Sequence, residues 1–183
     1  MMLSHAHPEL RGAGYVVFAD SSRRYVDCSD NVCHLLEYSR DEMLQKTIDD
    51  VSYNASETST LFAHFLKTGQ DKGEYVLKRM DGTPVLIRYR AFAFDDGCKA
   101  AVWEPIHDWR ELYLAALVEF KPAKLKQKIE IALAAIERTR QSQSAHSLTI
   151  DEQKATDAVS ALNALLRNIG RGGLTGPNAG DAS

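Results

Sequence analysis

Two cysteines and a histidine near the start of the chain are the first residues to weigh as chemical ligands. Cys28, Cys33 and His34 occupy the run Cys-Ser-Asp-Asn-Val-Cys-His. The common motif for covalent haem attachment is Cys-x-x-Cys-His, and the spacing between these cysteines is too wide for it. A structural zinc site needs four ligands, and this run of residues supplies only three. The pattern therefore favours reduced cysteines that fill core space as small apolar side chains.

The remaining polar residues form no recognisable catalytic constellation. The sequence has no nucleophile elbow, no phosphate-binding glycine loop and no nucleotide-binding kinase motif. His146 lies in a polar segment without the acidic neighbour that phospho-accepting histidines of sensor kinases usually carry. Asp49 with Asp50 and Asp95 with Asp96 fall at predicted turns, where aspartate is favoured for local hydrogen bonding. We therefore expect a protein that is not an enzyme.

The elements that position these residues are short strands and short helices. Ser29 predicts the N-cap of one helix, and Ser39 with Glu42 predicts a capping box that opens a second. A third helix is predicted over residues 60–67, with Gly69 as part of its stop. Alternating apolar residues predict strands at 15–19, 24–26, 73–80, 83–94 and 98–106. The pattern predicts an α+β fold in which a five-stranded antiparallel sheet carries helices inserted after its second strand.

Several short motifs follow one another along this region in a familiar order. They occupy residues 20–23, 35–42, 67–70, 74 and 78–83, and the strongest is Leu-Leu-Glu-Tyr-Ser-Arg-Asp-Glu. In this order and spacing, residues 14–106 resemble the PAS sensory domain family. Glu37 stands where the family usually has Gly, and Ser29 stands where it usually has Asn. The resemblance implies the PAS fold, with short helices on one face of the sheet, and a sensory role.

A mainly apolar ligand pocket is expected between the third helix and the sheet. Tyr75 rather than Glu74 is placed inward, because burying a carboxylate without a partner costs several kcal/mol. The predicted lining residues are Leu35, Leu36, Phe62, Phe65, Leu66, Tyr75, Leu77 and Ile87.

The resemblance also raises two cofactors that members of the family carry. Some haem-binding members present the iron ligand from the helix that holds His64. The helical position of His64 turns it away from Leu61, Phe62 and Phe65 and toward solvent. Flavin photochemistry in the family needs an Asn-Cys-Arg motif, which the sequence at 31–34 does not match. We therefore expect neither haem, nor flavin, nor a metal site, and the sequence does not name the ligand.

Residues 107–169 change to a helical period and carry no family resemblance. A connector helix is predicted over 109–120, and Pro122 opens the first helix of a hairpin. Thr149 with Glu152 predicts a capping box that opens the second hairpin helix. The apolar stripes of the hairpin predict a dimer or partner interface formed by Leu125, Ile129, Leu133, Ile136, Val159, Leu162, Leu166 and Ile169. We expect a homodimer, with a partner signalling protein as a second candidate, and the hairpin packs either within one chain or across the dimer.

Composition bounds the remaining possibilities. The 183 residues are 44% hydrophobic and 26% charged, with a net charge of −3, which gives no basic footprint for nucleic acid or an anionic membrane. Residues 1–13 have the character of a flexible leader and residues 170–183 that of a disordered tail. The absence of a signal peptide and the odd cysteine count predict a cytoplasmic protein with reduced thiols.

The functional expectation is a sensor or signal-transmission module. In this hypothesis the PAS domain binds a small apolar ligand or a partner protein, and the C-terminal helices relay the change. One alternative is a ligand-free PAS scaffold that acts as a dimerisation or adaptor protein. Two weaker alternatives are a haem-binding PAS sensor and the remnant of a histidine kinase.

Overall fold

The computed structural model describes residues 10, 13–94, 97–142 and 150–171. The chain divides into two compact units, Met1–Ile106 and His107–Ser183. Within the described ranges, no helix is both long and apolar enough to cross a membrane. Most of the predicted leader lies outside the described residues, as do Asp95, Asp96, His146, Thr149 and residues 172–183.

One antiparallel sheet organises the first unit, with its strands in the order β2-β1-β5-β4-β3. The strands are β1 (Val16–Ala19), β2 (Tyr25–Cys28), β3 (Gln70–Lys78), β4 (Pro84–Ala93) and β5 (Lys99–Pro105). All four residues of β1 are buried, because this strand lies between two others and both of its faces are covered. The hairpin of β3 and β4 turns at Gly82, whose φ of 86° suits glycine. The predicted five-stranded antiparallel sheet is confirmed.

Three helices connect β2 to β3: α1 (Asp30–Leu36), α2 (Arg40–Met43) and α3 (Ala55–Thr68). The capping box of Ser39 and Glu42 is present at the start of α2. Ser29 precedes α1, but its side chain makes no capping bond. Its Oγ instead accepts from the Val16 N–H and donates to the Gly14 carbonyl, both at 3.1 Å. Ser29 is therefore the N-cap residue of α1, as predicted, and its side chain ties the start of the helix to β1.

Helix α3 begins at Ala55, so it is longer than the predicted helix over 60–67. Its first turns carry serine and threonine instead of an apolar stripe, and the apolar period therefore did not reveal them. The Thr58 hydroxyl donates to the Asn54 carbonyl at 3.0 Å and also bonds the Tyr75 hydroxyl. These bonds satisfy a polar side chain that is only 4% exposed.

The core of the first unit lies mainly between the sheet and its helices. It contains Val17, Tyr25 and Trp103 from the sheet together with Val32 and Leu36 from α1. A smaller cluster on the opposite face of the sheet contains the side chains of Val16, Phe18 and Ala100.

The second unit contains α4 (Trp109–Leu117), α5 (Pro122–Ser142) and α6 (Ile150–Arg171). Helix α4 ends earlier than the predicted 109–120, and Pro122 is the first residue of α5. Helix α6 continues through Gly170 to Arg171, two positions into the predicted tail. Helix α5 packs against both α4 and α6.

Three residues of the predicted interface are buried within a single chain. Ile129, Ile136 and Leu162 are at most 1% exposed, because α5 and α6 pack against each other. Arg140 reinforces this pairing through bonds of 2.9 Å to Glu152 and to Thr156. These three residues meet within one chain, which is one of the two arrangements that the sequence leaves open. The other predicted interface residues are half-buried: Leu125, Leu133, Val159, Leu166 and Ile169.

Candidate functional site

An apolar cavity of about 120 Å³ lies between α3 and the inner face of the sheet. Its wall contains residues from all five strands and from α3, and aromatic side chains make up about a third of it. The aromatic lining residues are Tyr25, Phe62, Phe65, Tyr75, Tyr89 and Trp103. Tyr75 and Tyr89 meet edge to face with ring centroids 6.4 Å apart, and Tyr25 and Trp103 do so at 6.5 Å.

Small side chains on the sheet create the space for this cavity. Val17 on β1 pairs with Ala101 on β5, which pairs in turn with Ala91 on β4. All three line the cavity. Because neighbouring strands are only about 5 Å apart, three small residues in register form a shallow trough beneath α3.

The structure brings five of the eight predicted pocket residues to the cavity wall. These are Phe62, Phe65, Tyr75, Leu77 and Ile87. The β3–β4 register places Tyr75 opposite Ile87, while the Glu74 side chain is about half exposed.

The other three predicted pocket residues lie elsewhere. Leu66 is 57% exposed, because it lies roughly 100° around α3 from the inward-facing Phe65. Leu35 and Leu36 are buried in the core without lining the cavity. Their carbonyls accept hydrogen bonds of 3.0 Å from the Arg79 side chain and the Met80 N–H, which hold α1 against the turn end of the β3–β4 hairpin.

The trough residues were missed because the prediction considered bulky apolar side chains alone. The signal was present in the sequence, since Ala91 and Ala101 interrupt strands that are otherwise rich in large residues. Recognising it required the strand register, which places the two alanines side by side.

Several polar groups at the cavity bond partners within the protein. The Tyr89 hydroxyl donates to Asp71 Oδ2 at 2.8 Å, and the Tyr75 hydroxyl bonds Thr58. The Lys99 ammonium donates to the Gly97 carbonyl at 3.4 Å. Burial raises the pKa of the Tyr25 phenol above its ordinary value of 10.0, at which the phenol is already neutral at physiological pH. The cavity therefore suits a molecule without charge.

Arg23 connects α3 to the β1–β2 turn beside the cavity. Its guanidinium lies 5.0 Å from the centroid of the Phe62 ring and donates to Asp49 Oδ1 at 2.6 Å. It also donates to the Ser59 hydroxyl at 3.4 Å. Arg23 therefore ties the helix that covers the cavity to the sheet.

His64 lies on α3 outside the cavity lining, with 63% of its side chain exposed. Its Nδ1 is 3.8 Å from Asp71 Oδ1. Across the described residues, no group of three or more His, Cys, Asp or Glu side chains is arranged to hold a metal ion.

The strand order, the helices inserted after β2 and the cavity beneath α3 define the architecture of a PAS-type sensory domain. The family model for the PAS domain matches residues 12–106, just over half of the chain. The chain therefore belongs to the PAS domain family, whose members are sensor and signalling domains. The helices beyond Ile106 carry no family assignment.

Solved structures with a similar fold come from diverse proteins. A sensory-box histidine kinase/response regulator domain from Geobacter sulfurreducens is 19% identical, with a TM-score of 0.47, and covers 55% of this chain and 92% of its own. A LuxR-family regulator PAS domain from Burkholderia thailandensis, solved in complex with ethanol, is 13% identical (57% and 97% covered, TM-score 0.47). The fruit-fly ELK potassium channel PAS domain is 16% identical (58% and 98% covered, TM-score 0.48). No curated protein sequence matches the chain.

Proposed function

We propose that this protein is a non-enzymatic sensor module whose PAS cavity binds a small uncharged apolar molecule. The observation that supports the proposal is the cavity of about 120 Å³, walled by aromatic and small apolar side chains. An apolar void of this kind is costly when empty, because its lining loses dispersion contacts. A ligand that restores those contacts would stabilise the folded domain.

The volume of the cavity limits the size of the ligand. Apolar cavities of about 150 Å³ accept benzene, while sites for drug-sized ligands begin near 300 Å³. The cavity therefore suits a molecule of about benzene size or smaller. Because the phenols of Tyr75 and Tyr89 already bond Thr58 and Asp71, apolar contact rather than hydrogen bonding would provide most of the affinity.

Strand β5 is the route by which occupancy would reach the C-terminal helices. It supplies Ala101 and Trp103 to the cavity wall and ends at Pro105. The Ile106 N–H still bonds the Leu86 carbonyl at 2.9 Å, and α4 begins at Trp109. Because the connector is this short, a shift of β5 on ligand binding would also move α4. Such a coupled movement is what transmission of a signal to the C-terminal helices requires.

A homodimer formed through α4 is the assembly that the exposed apolar residues favour. Trp109, Leu112 and Ala116 are buried, yet Leu114 and Leu117 are 59% and 45% exposed. Just beyond α4, Val118 and Phe120 are 66% and 92% exposed. Arg110 and Glu111 make one side of α4 polar, but its exposed leucines and the apolar residues that follow form a patch of the kind that a partner normally covers. A second copy of the chain would cover this face. The exposed face of α4 therefore replaces the α5–α6 seam as the proposed interface.

The same exposed face supports a second candidate function, a ligand-free PAS scaffold that serves as an adaptor. In that case the first unit would act only as a folded support, and the helices would recruit a partner signalling protein. We place either form of the protein in the cytoplasm, with neither nucleic acid nor a membrane among its partners, since the net charge is −3.

Mass spectrometry of the natively purified protein, with a visible absorption spectrum, separates the two functions. The sensor proposal expects a bound small molecule to add mass under native conditions and to be absent after denaturation. A haem or flavin would appear in the absorption spectrum and would overturn the assignment of an apolar ligand. A native mass equal to that of the bare chain would favour the scaffold, if that mass also stays the same when small apolar molecules are added.

A further inference from the structure

Two cysteine thiols lie in contact in the core of the first unit. Cys28 ends β2 and Cys33 belongs to α1, and their Sγ atoms are 3.5 Å apart. Both residues are buried, with exposures of 4% and 7%. The contact joins a strand to a helix, so a bond between the two sulfurs would lock the junction at which the inserted helices begin.

The backbone on both sides of Cys28 is held in place. The Ser29 N–H donates to the Val16 carbonyl at 2.8 Å, and its side chain bonds two further backbone groups of the β1 region. The Arg40 guanidinium bonds the Cys28 carbonyl and the carboxylate of the buried Asp27. The two sulfurs therefore face each other on a fixed frame.

The two thiols share one contact at hydrogen-bond distance, in which either sulfur can be the donor. Burial, followed by the hydrogen bond with Cys33, raises the pKa of Cys28 to about 12. Burial therefore disfavours the Cys28 thiolate, and we assign Cys33, 7% exposed against 4% for Cys28, as the sulfur that reacts first. The positive charge of Arg40 works in the opposite direction to burial and favours a thiolate at this site.

We propose that Cys28 and Cys33 form a reversible intramolecular disulfide when the protein meets a peroxide. The Cys33 thiol releases its proton as its sulfur attacks one peroxide oxygen, so that an S–O bond forms, the O–O bond breaks, and the departing hydroxide takes up the released proton as water. The Cys28 sulfur then attacks Cys33 Sγ. The S–S bond forms, the S–O bond breaks, and the second hydroxide leaves as water with the proton that Cys28 releases. Hydrogen peroxide is reduced to two waters while the two thiols are oxidised to one disulfide.

The disulfide would alter the wall of the ligand cavity. The sulfurs must approach from 3.5 Å to the disulfide length of about 2.05 Å. Cys28 and Cys33 belong to the same packed cluster as Val17, Tyr25 and Trp103, which line the cavity. Because a close-packed core transmits such movements, oxidation would be a second input to the same domain.

Alkylation and mass analysis of the Cys98→Ser protein test this proposal, because that variant retains only the thiol pair. The folded protein is treated with excess hydrogen peroxide, denatured in acid and labelled with N-ethylmaleimide. We expect loss of both labelling sites, a mass lower by two hydrogens, a crosslinked peptide containing Cys28 and Cys33, and full recovery of labelling after dithiothreitol. Two labelled thiols after treatment, or sulfinic or sulfonic acids in place of the crosslink, would overturn the proposal.

Two comparisons show whether the folded arrangement is responsible. Neither Cys28→Ser nor Cys33→Ser, each also carrying Cys98→Ser, should lose two hydrogens, and Cys33 in the first variant should gain oxygen faster than Cys28 in the second. Crosslinking of the pair should also be faster in buffer than in urea. Crosslinking that occurs only in urea would mean that the folded structure does not promote the bond, and the proposal would fail.

Discussion

Glu37 is a non-glycine residue at a position that favours glycine. It follows the last turn of α1 with φ of 64°, and its N–H bonds the Cys33 carbonyl. A side chain in this left-handed region crowds the backbone, which is why glycine usually occupies the position after a helix. Glu37 stands where the family usually has glycine, and its positive φ is the physical reason for that preference.

Replacing Glu37 with glycine should therefore stabilise the first unit. We expect the Glu37→Gly protein to gain about 1 kcal/mol in the free energy of unfolding relative to Glu37→Ala, measured by urea denaturation. The alanine variant is the matched control, since it also loses the Glu37 side chain but keeps a Cβ. Equal stability of the two variants would contradict an account based on backbone strain.

Glu42 makes the stability of the first unit depend on pH. The Ser39 hydroxyl and N–H donate to Glu42 Oε2 at 2.7 and 2.9 Å, and these bonds lower the pKa of Glu42 below its ordinary value of 4.5. A lowered folded-state pKa contributes stability that is complete above the unfolded value and is lost as pH falls through the folded value.

The stability advantage of the native protein over Glu42→Gln should accordingly be larger at pH 7 than at pH 3. Urea denaturation at several pH values measures this difference. Asp41→Asn, which neutralises a carboxylate in the same helical turn without removing the capping bonds, is the control and should show less pH dependence. A difference between native protein and Glu42→Gln that stays constant across this range would argue against the capping bonds as its source.

At the scale of elements, helix α3 covers the cavity and is also the element whose predicted boundaries differ most from the observed ones. The sequence predicted the inward face of Phe62 and Phe65, because residues three apart share one side of a helix. It placed Leu66 wrongly by treating a run of apolar residues as one face. The early start of α3 depends on the contact between Thr58 and Tyr75, which are distant in sequence and belong to different elements. Local periodicity cannot detect a bond of that kind.

Adjacent residues of α3 provide a matched test of which side faces the core. Phe65 is 5% exposed and lines the cavity, while Leu66 is 57% exposed. We expect Phe65→Ala to lower the free energy of unfolding by about 3–5 kcal/mol and Leu66→Ala by less than about 1 kcal/mol. Chemical denaturation measures both values. Losses of similar size would contradict the placement of α3.

The sheet was more predictable than the cavity or the interface. Turn residues such as Asp81 and Gly82 and the alternation of apolar residues located the strands to within a few positions. The trough under α3 depends on how strands pair, and the burial of Ile129 and Leu162 depends on which helices meet. Both are properties of three-dimensional packing, for which the one-dimensional pattern leaves several solutions open.

At the scale of the whole molecule, the exposed leucines of α4 test the proposed dimer. We expect light scattering at micromolar concentration to give twice the mass of one chain, and Leu114→Glu to give the mass of a single folded chain. Leu66→Glu is the control, since Leu66 on α3 is exposed to nearly the same degree, 57% against 59%. A monomeric native protein, or a dimer that tolerates Leu114→Glu, would exclude this interface.

Leu162→Glu is unsuited to this test, because Leu162 is fully buried and the variant would disrupt the α5–α6 packing.

The central claim is that the cavity beneath α3 binds a small apolar molecule, and an NMR titration of the protein with benzene tests it most directly. We expect saturable shifts of the Leu77 and Ile87 methyl signals, since both residues line the cavity. Ala101→Leu should abolish these shifts by filling the trough, whereas the same substitution at the exposed Ala63 on α3 should leave them intact. Methyl signals that do not respond to benzene, or that respond equally in the Ala101→Leu protein, would contradict the account.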